Sequence, residues 1–197
     1  MGDRADALLY PAERAAVAGA GPDRQAEFAT ARACAREALA ALRLPPQAIP
    51  MGPAGDPVWP TGVIGSITHC HGYRAAAVGP AESYLALGVD AEPHTALPAR
   101  ALATVATDAE IAAVLGLPHD GTAWDRVLFC AKEAAFKAWF PLTRRHLEPT
   151  AIGVTLHPGG SFAAAIDGFP LPGRWTAGAL VLTAVAVPRL PESAGIA

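Results

Sequence analysis

The chain has 197 residues, of which 52% are apolar and 17% are charged. This composition excludes a disordered chain, and the length allows one sizeable core or two small domains that share an interface. The formal net charge of −3 gives no electrostatic reason to expect nucleic acid as the main partner. The three cysteines lack CxxC spacing, so we interpret them as small hydrophobic residues in a reducing compartment.

Targeting and membrane signals are not predicted. The N-terminal segment contains acidic residues and no sustained apolar core, which argues against a secretory signal. The most apolar run, residues 178–188, is far too short to cross a bilayer and indicates a buried strand instead. We therefore expect a soluble, cytoplasmic protein that does not bind a membrane.

The first half of the chain predicts one long helix and three short strands. Apolar residues recur at helical spacing from Arg24 to Leu44, with Asp23 as the expected cap and Pro45 as the stop. A segment rich in Pro and Gly, residues 50–61, predicts a loop. The strands predicted after it cover residues 63–69, 73–78 and 85–92.

The second half repeats this order. Residues 98–117 predict a loose helical segment with Thr107 as a cap, and residues 122–140 predict the strongest helix, closed by Pro141. The strands predicted after it cover residues 151–157, 161–166 and 175–187. The order predicts an α+β fold with two similar halves, residues 1–89 and 90–197, although no residue-level repeat supports the symmetry.

The strongest helix carries the most informative motif. Glu133 and Lys137 are one helical turn apart and share a face with Arg126, and aromatic residues lie alongside. A carboxylate with two cations on the more polar side of a helix can hold a metal and an anion together. Alone, the pair is more typical of an ordinary Glu–Lys helix pair in water.

A second motif is the sequence Gly-Val-Asp-Ala-Glu at residues 88–92. Alternate residues of a strand face the same way, so Asp90 and Glu92 project to one side. Two carboxylates aimed together favour a cation between them, and hard oxygen ligands of this kind suit Mg²⁺. The alternative is a strand end with two solvated acids.

A third motif, Gly-Ser-Ile-Thr-His at residues 65–69, places small residues and hydroxyls at a strand end. Thr68 and His69 are candidate phosphate contacts there. Two alternatives stay open: a transition-metal site in which His69 and His71 flank Cys70, and a structural histidine.

The first long helix carries a stripe of basic residues. Arg24, Arg32 and Arg36 lie on one side of it, and guanidinium groups match phosphate geometry well. Alone, such a stripe is most often a solvated face.

Together, these motifs resemble the Sfp/EntD-type 4'-phosphopantetheinyl transferases. The resemblance rests on EFATARACAREAL at residues 27–39, GSITH, GVDAE, and FCAKEAAFKAW at residues 129–139, in that order. It runs from Arg24 to His146 and is closest to a short, actinobacterial-like branch with Trp59-Pro60 and Tyr73-Arg74 around the GSITH motif.

The resemblance implies a pseudo-dimer of two α+β halves with coenzyme A bound in the cleft between them. It implies transfer of 4'-phosphopantetheine from coenzyme A to a serine of an apo carrier protein, with release of adenosine 3',5'-bisphosphate. The carrier would be an acyl or peptidyl carrier protein of fatty-acid, polyketide or nonribosomal-peptide assembly. An internally duplicated chain has less need of a partner, so we expect a monomer.

The resemblance also implies the metal site. Asp90 and Glu92 match the acidic pair that holds Mg²⁺, with Mn²⁺ as a substitute. Glu133 matches the glutamate that completes this site, and the carbonyl of Ala91 can contribute. Glu133 is our candidate general base for the serine, and Lys137 and a metal-bound water are the alternatives.

Phosphate contacts are implied for the other motif residues. Lys137 matches the lysine that contacts the pyrophosphate, and Lys132 matches either a phosphate contact or a supporting ion pair. The nucleotide contacts are expected from Arg24, Arg32, Thr68 and His69, with the 3'-phosphate among the groups held by the arginines. One departure is the loop at residues 51–54, where relatives often carry lysines and this chain has none.

Two other classes of function remain open from the sequence. A Mg²⁺-dependent hydrolase acting on nucleotide pyrophosphates could use the same acids and needs no carrier protein. A non-catalytic coenzyme A-binding module is the other, and the three acids Asp90, Glu92 and Glu133 argue against it.

Overall fold

Two 20-residue helices, α2 (Pro22–Ala41) and α5 (Trp124–Thr143), each pack against antiparallel strands in the computed structural model. The structure describes residues 2–189. Three shorter helices complete the helical part: α1 (Pro11–Arg14), α3 (Ala99–Val105) and α4 (Asp108–Leu115). None of the helices in residues 2–189 is both long and apolar enough to cross a membrane.

The strands form one hairpin and one larger sheet. Strands β1 (Val63–Cys70) and β2 (Tyr73–Pro80) pair antiparallel and pack against α2. The larger sheet is antiparallel throughout, with the order β3-β7-β6-β5-β4. Its members are β3 (Tyr84–Pro93), β4 (Gly153–His157), β5 (Ser161–Ile166), β6 (Phe169–Ala177) and β7 (Leu180–Pro188).

The α+β class is therefore confirmed, but the predicted strand 175–187 is wrong. The structure divides it between β6 and β7, which reverse direction where the Gly178 amide donates to the Leu180 carbonyl at 2.9 Å. Apolar residues continue on both sides of the reversal and conceal it. Pro170 and Pro172 conceal the first half of β6, because proline argues against a strand.

Helix ends also differ from prediction at two places. Gly21 is at the N-cap position of α2, and Pro22 is the first residue of the helix. Asp23 therefore lies in the first turn and does not cap the helix. Helix α5 continues past Pro141 to Thr143, although proline has no N–H to donate within the helix. Thr107 is confirmed as a cap: its hydroxyl accepts from the Glu110 amide at 3.2 Å.

The predicted division at residues 89 and 90 falls inside β3, which pairs with β7. This boundary stays a prediction, and residues 190–197 of the predicted second half lie outside the described residues. Two hydroxyls of β1 connect the hairpin to the larger sheet. The Val89 amide donates to Ser66 Oγ at 3.1 Å, and the Ala91 amide donates to Thr68 Oγ1 at 3.0 Å.

Helix α5 lies directly on β3 because Gly88 has no side chain. A Cβ atom at Gly88 would meet the Ala134 carbonyl oxygen at 2.0 Å and the Ala138 amide nitrogen at 2.7 Å. The small residues of α5 also face the core of the larger sheet, which contains Ala131, Ala135, Phe162, Ile166, Leu171 and Val185. The helix backbone is thereby held against the strand that carries Asp90 and Glu92.

A buried ion pair fixes the other side of α5. Lys132 Nζ donates to Glu110 Oε2 at 2.8 Å and to the carbonyls of Pro149 and Ile152 at 3.0 and 2.8 Å. Glu110 Oε1 accepts from the Val154 amide at 3.0 Å. The pair therefore joins α4, α5 and the start of β4.

We expect Gly88→Ala to destabilise the fold, because the added methyl collides with helix backbone rather than with a flexible side chain. Overpacking of this kind should lower the free energy of unfolding by about 1–3 kcal/mol or more. The measurement is urea denaturation followed by circular dichroism. Gly153→Ala in β4 is the matched control, since its nearest neighbour would lie 3.8 Å away. Equal midpoints for the two variants would contradict the close contact.

Candidate active site

A cavity of about 690 Å³ lies between α2 and the β1–β2 hairpin on one side and β3 and α5 on the other. Seven of the residues predicted to form the site line it: Arg24, Arg32, His69, Asp90, Glu92, Glu133 and Lys137. Thr68 and Ala91 support this lining, Thr68 through a bond to Asp90 and Ala91 through its buried position next to it. Residues from positions as far apart as 24 and 144 in the sequence thus line one cavity.

Asp90 is the central acid of the cavity. It is buried within β3, and its Oδ1 accepts from Lys137 Nζ at 2.6 Å and from Thr68 Oγ1 at 3.1 Å. Lys137 Nζ also donates to the Val89 carbonyl at 3.3 Å. The second oxygen, Asp90 Oδ2, is buried without a hydrogen-bond partner among the described residues. One carboxylate oxygen is therefore left unpaired inside the protein.

Glu92 and Glu133 complete an acidic cluster around Asp90. Burial raises the pKa of both carboxyl groups, and the Asp90 charge raises both further. Nearby cations act in the opposite direction: Arg126 Nη1 lies 3.3 Å from Glu92 Oε2, and Lys137 lowers the pKa of Glu133. Three carboxylates in a half-buried space favour a bound cation.

The acids fit a divalent metal by their chemistry, and the side chains do not already form a closed site. Within residues 2–189, no three His, Cys, Asp or Glu side chains are grouped as a ready metal site. Two of the acids are engaged instead by Lys137 and Arg126. The unpartnered Asp90 Oδ2 and the mutual repulsion of the carboxylates are the features that suit Mg²⁺.

The basic residues of α2 have different environments. Arg24 is half-exposed at the cavity, where its Nη1 lies 3.5 Å from His69 Nε2. Arg32 is buried: its Nε donates to the Ile49 carbonyl at 2.7 Å, and its guanidinium lies over the Phe28 ring. Burial lowers the pKa of Arg32 to about 10. Arg36 pairs with buried Glu13 at 2.8 Å.

Of the two roles left open for Lys132, the structure supports the ion pair. The Lys132 side chain is buried, and its ammonium group makes the contact with Glu110 described above. Burial lowers the pKa of Lys132, and Glu110 raises it. The adjacent residues Lys132 and Glu133 therefore combine a structural lysine with a glutamate at the cavity.

Arg144 is a cationic cavity residue that the sequence analysis missed. Arg144 follows α5 in the left-handed conformation (φ 56°) and lines the cavity beside the loop at residues 51–58. Its Nη1 lies 2.5 Å from Asp56 Oδ2, across the two parts of the chain. It supplies a cation next to the loop that lacks lysines. A basic residue just after a helix gives no sequence signal for this position.

Crowded carboxylates, cations and an aromatic wall of Phe129, Phe136 and Phe140 define an enzyme site for a phosphate-bearing substrate with an apolar part. Residues 12–79 match the model of the 4'-phosphopantetheinyl transferase N-terminal domain, and residues 86–187 match that of the 4'-phosphopantetheinyl transferase superfamily. The chain belongs to the 4'-phosphopantetheinyl transferase superfamily.

Three curated relatives agree with this assignment. The chain is 46% identical over 196 residues to 4'-phosphopantetheinyl transferase Svp of Streptomyces mobaraensis, covering 91% of this chain and 79% of the relative. The identity is 47% to PptT of Mycobacterium tuberculosis (70% and 60% covered) and 48% to Npt of Nocardia iowensis (72% and 64% covered). The chain thus spans less than two thirds of the last two relatives.

The crowding of the acids predicts that Glu133→Gln stabilises the protein at pH 8. Folding raises the pKa of Glu133, so the ionised carboxylate destabilises the folded state at pH values above that pKa. This destabilisation disappears below the pKa of the unfolded state, about 4.3, where the carboxyl group is protonated in both states. A gain of ~1 kcal/mol would raise the melting temperature by about 2–4 °C in a protein of this size. Calorimetry at pH 8 and pH 4.5 checks this. A stabilisation that is equal at both pH values would contradict the stated cause.

Proposed function

We propose that this chain transfers the 4'-phosphopantetheine group of coenzyme A to a serine of an apo acyl or peptidyl carrier protein. The products are the holo carrier protein and adenosine 3',5'-bisphosphate. The observation that carries this proposal is the match of both family models, together with one cavity that unites Asp90, Glu133 and Lys137. The cavity is large enough for a nucleotide and has both a cationic and an aromatic wall.

Mg²⁺ would be held by Asp90, Glu92 and Glu133, with the Ala91 carbonyl as a further proposed ligand and Mn²⁺ as a substitute. When bound, the metal supplies positive charge to the pyrophosphate oxygens. The support for this ligand set is the unpartnered Asp90 Oδ2, the burial of Asp90 and the partial burial of Glu92 and Glu133. Thr68 keeps Asp90 in place through its hydroxyl.

The reaction is a displacement at the β-phosphorus of coenzyme A. The serine oxygen forms a bond to this phosphorus while the bond to the bridging oxygen of the pyrophosphate breaks, and the adenosine bisphosphate leaves. Lys137 Nζ, fixed by Asp90 and the Val89 carbonyl, stabilises negative charge on the pyrophosphate oxygens. Arg24 and His69, at the same cavity, contact the nucleotide phosphates.

Glu133 accepts the serine proton in this proposal. Burial raises the pKa of Glu133, which brings a carboxylate closer to the range in which a general base works well at neutral pH. Lys137 is less suited, because its Nζ already donates to Asp90 Oδ1 and to the Val89 carbonyl.

The proposed roles on α5 predict different kinetic losses. Glu133→Gln should lower kcat by about 100-fold or more, the scale of a lost general base, and retain part of the coenzyme A binding. Lys137→Met should weaken coenzyme A binding as well as turnover, since its charge acts on ground and transition states alike. The assay is intact-mass analysis of apo carrier proteins incubated with coenzyme A and Mg²⁺, with initial rates from the holo fraction.

The same assay separates the classes of function. A gain of the phosphopantetheine mass on any carrier protein supports the transferase. Consumption of coenzyme A without a carrier protein would indicate a pyrophosphate hydrolase, and binding without turnover would indicate a non-catalytic module. If both α5 variants kept kcat and KM within about twofold, the pair would be a surface ion pair of little energetic weight.

The two arginines on α2 are expected to differ. Arg24→Gln should raise the KM for coenzyme A by about tenfold or more, the loss that a charged hydrogen bond of about 1.5–3 kcal/mol produces. A smaller loss with dephospho-coenzyme A would assign the contact to the 3'-phosphate. Arg32→Met should mainly lower the melting temperature, because Arg32 holds the Ile49 carbonyl. A KM effect limited to Arg32 would reverse this assignment.

A further inference from the structure

Glu27 connects the two cavity residues that we assign to the nucleotide. Its Oε1 lies 3.1 Å from His69 Nδ1, and its Oε2 lies 2.5 Å from Arg24 Nη1. Arg74 Nη2 lies 3.3 Å from the same Oε1. One carboxylate from α2 therefore contacts a histidine of β1, an arginine of β2 and an arginine of its own helix.

We propose that Glu27 is a positioning residue for coenzyme A: it holds His69 by Nδ1 and Arg24 by Nη1, so that His69 Nε2 accepts from Arg24 and the remaining Arg24 N–H donors face one anionic group of the nucleotide. This inference rests on the proposed function. Glu27 itself does not face the ligand. It acts through His69 and Arg24, which both line the cavity.

The orientation of His69 follows from the two ring contacts. A carboxylate at Nδ1 accepts the Nδ1 proton, which leaves Nε2 facing Arg24 and the cavity. Without Glu27, the ring has no acceptor at Nδ1 among these contacts and can rotate. A rotated ring would no longer accept from Arg24 Nη1, and the guanidinium would lose one of the two groups that orient it.

The formal charges of the cluster balance. Arg24 and Arg74 carry two positive charges, and Glu27 and Asp3 carry two negative charges, with Asp3 Oδ1 3.1 Å from Arg74 Nε. The attraction for an anion therefore comes from the Arg24 donors at the cavity. Burial is the main cause that lowers the pKa of His69, and Arg24, Lys137 and Arg74 lower it further, whereas Glu27 raises it. Glu27 thus offsets the repulsion among groups that would otherwise separate, and leaves Arg24 with exposed donors toward the cavity.

A second ion pair on α2 shows what an ordinary surface pair looks like in this chain. Glu37 pairs with Arg4, and both side chains are exposed to solvent. Glu27 is only 20% exposed and has partners from three elements. Glu37→Gln therefore removes the same charge from the same helix without touching the cavity.

The test compares Glu27→Gln with Glu37→Gln in the full chain. Coenzyme A affinity is measured directly by isothermal titration calorimetry, and KM and kcat are measured with a saturating carrier protein. We expect Glu27→Gln to weaken coenzyme A binding and raise its KM about tenfold, with kcat within about twofold. Glu37→Gln should leave all three values within about twofold.

A mutant cycle separates positioning from a structural role. In the His69→Ala background, Glu27→Gln should weaken coenzyme A binding by less than about threefold, because one of the groups it positions is absent. An equal, roughly tenfold loss in both backgrounds would overturn the proposal, as would wild-type affinity of Glu27→Gln. Melting temperatures of the variants identify a loss that comes from unfolding.

The binding measurement also keeps this inference separate from the transferase proposal. If no carrier protein is modified, the proposed function fails, and calorimetry with coenzyme A alone still decides the role of Glu27. If carriers are modified and Glu27→Gln binds coenzyme A normally, only the positioning role is lost.

Discussion

The absence of a side chain at Gly88 is the constraint on which the site depends. It lets α5 lie against β3 at the level of Ala134 and Ala138, which are one helical turn apart. The residues that precede these alanines are Glu133 and Lys137. The contact therefore brings a carboxylate and an amine of the helix to the height of Asp90 on the strand, where Lys137 makes its 2.6 Å contact. A larger residue at this position would separate the two elements that build the site.

Buried charge has two uses on α5. Lys132, on one side, has all its donors satisfied by Glu110 and two carbonyls, and it fixes α4 and β4 to the helix. Lys137, on the cavity side, leaves Asp90 with one unpartnered oxygen. A satisfied buried pair stabilises a fold, whereas an incompletely satisfied one is prepared for a ligand. The same residue type thus serves structure and chemistry within five positions.

The two parts of the chain meet through polar contacts. The hydroxyls of Ser66 and Thr68 accept hydrogen bonds from main-chain amides of β3. Asp56 forms an ion pair with Arg144, and both residues line the cavity. Thr68 also donates to Asp90, so one residue joins β1 to β3 and orients the central acid. The junction and the site therefore share residues, which explains why the cavity lies where β1 meets β3.

The sequence by itself determined the α+β class, both long helices, the acids on β3 and α5, and the family, because periodicity, motif order and residue type are local properties of the chain. The tertiary structure alone decided that 175–187 is two strands, since a uniformly apolar run does not reveal where it reverses. It also decided which cations face the cavity. Arg24, Arg32 and Arg36 share a helix stripe, but only Arg24 and Arg32 line the cavity, whereas Arg36 pairs with buried Glu13, which comes from a different helix. Glu27 and Arg144 were missed for the same reason: Glu27 meets His69 and Arg74, and Arg144 meets Asp56, only when the chain folds.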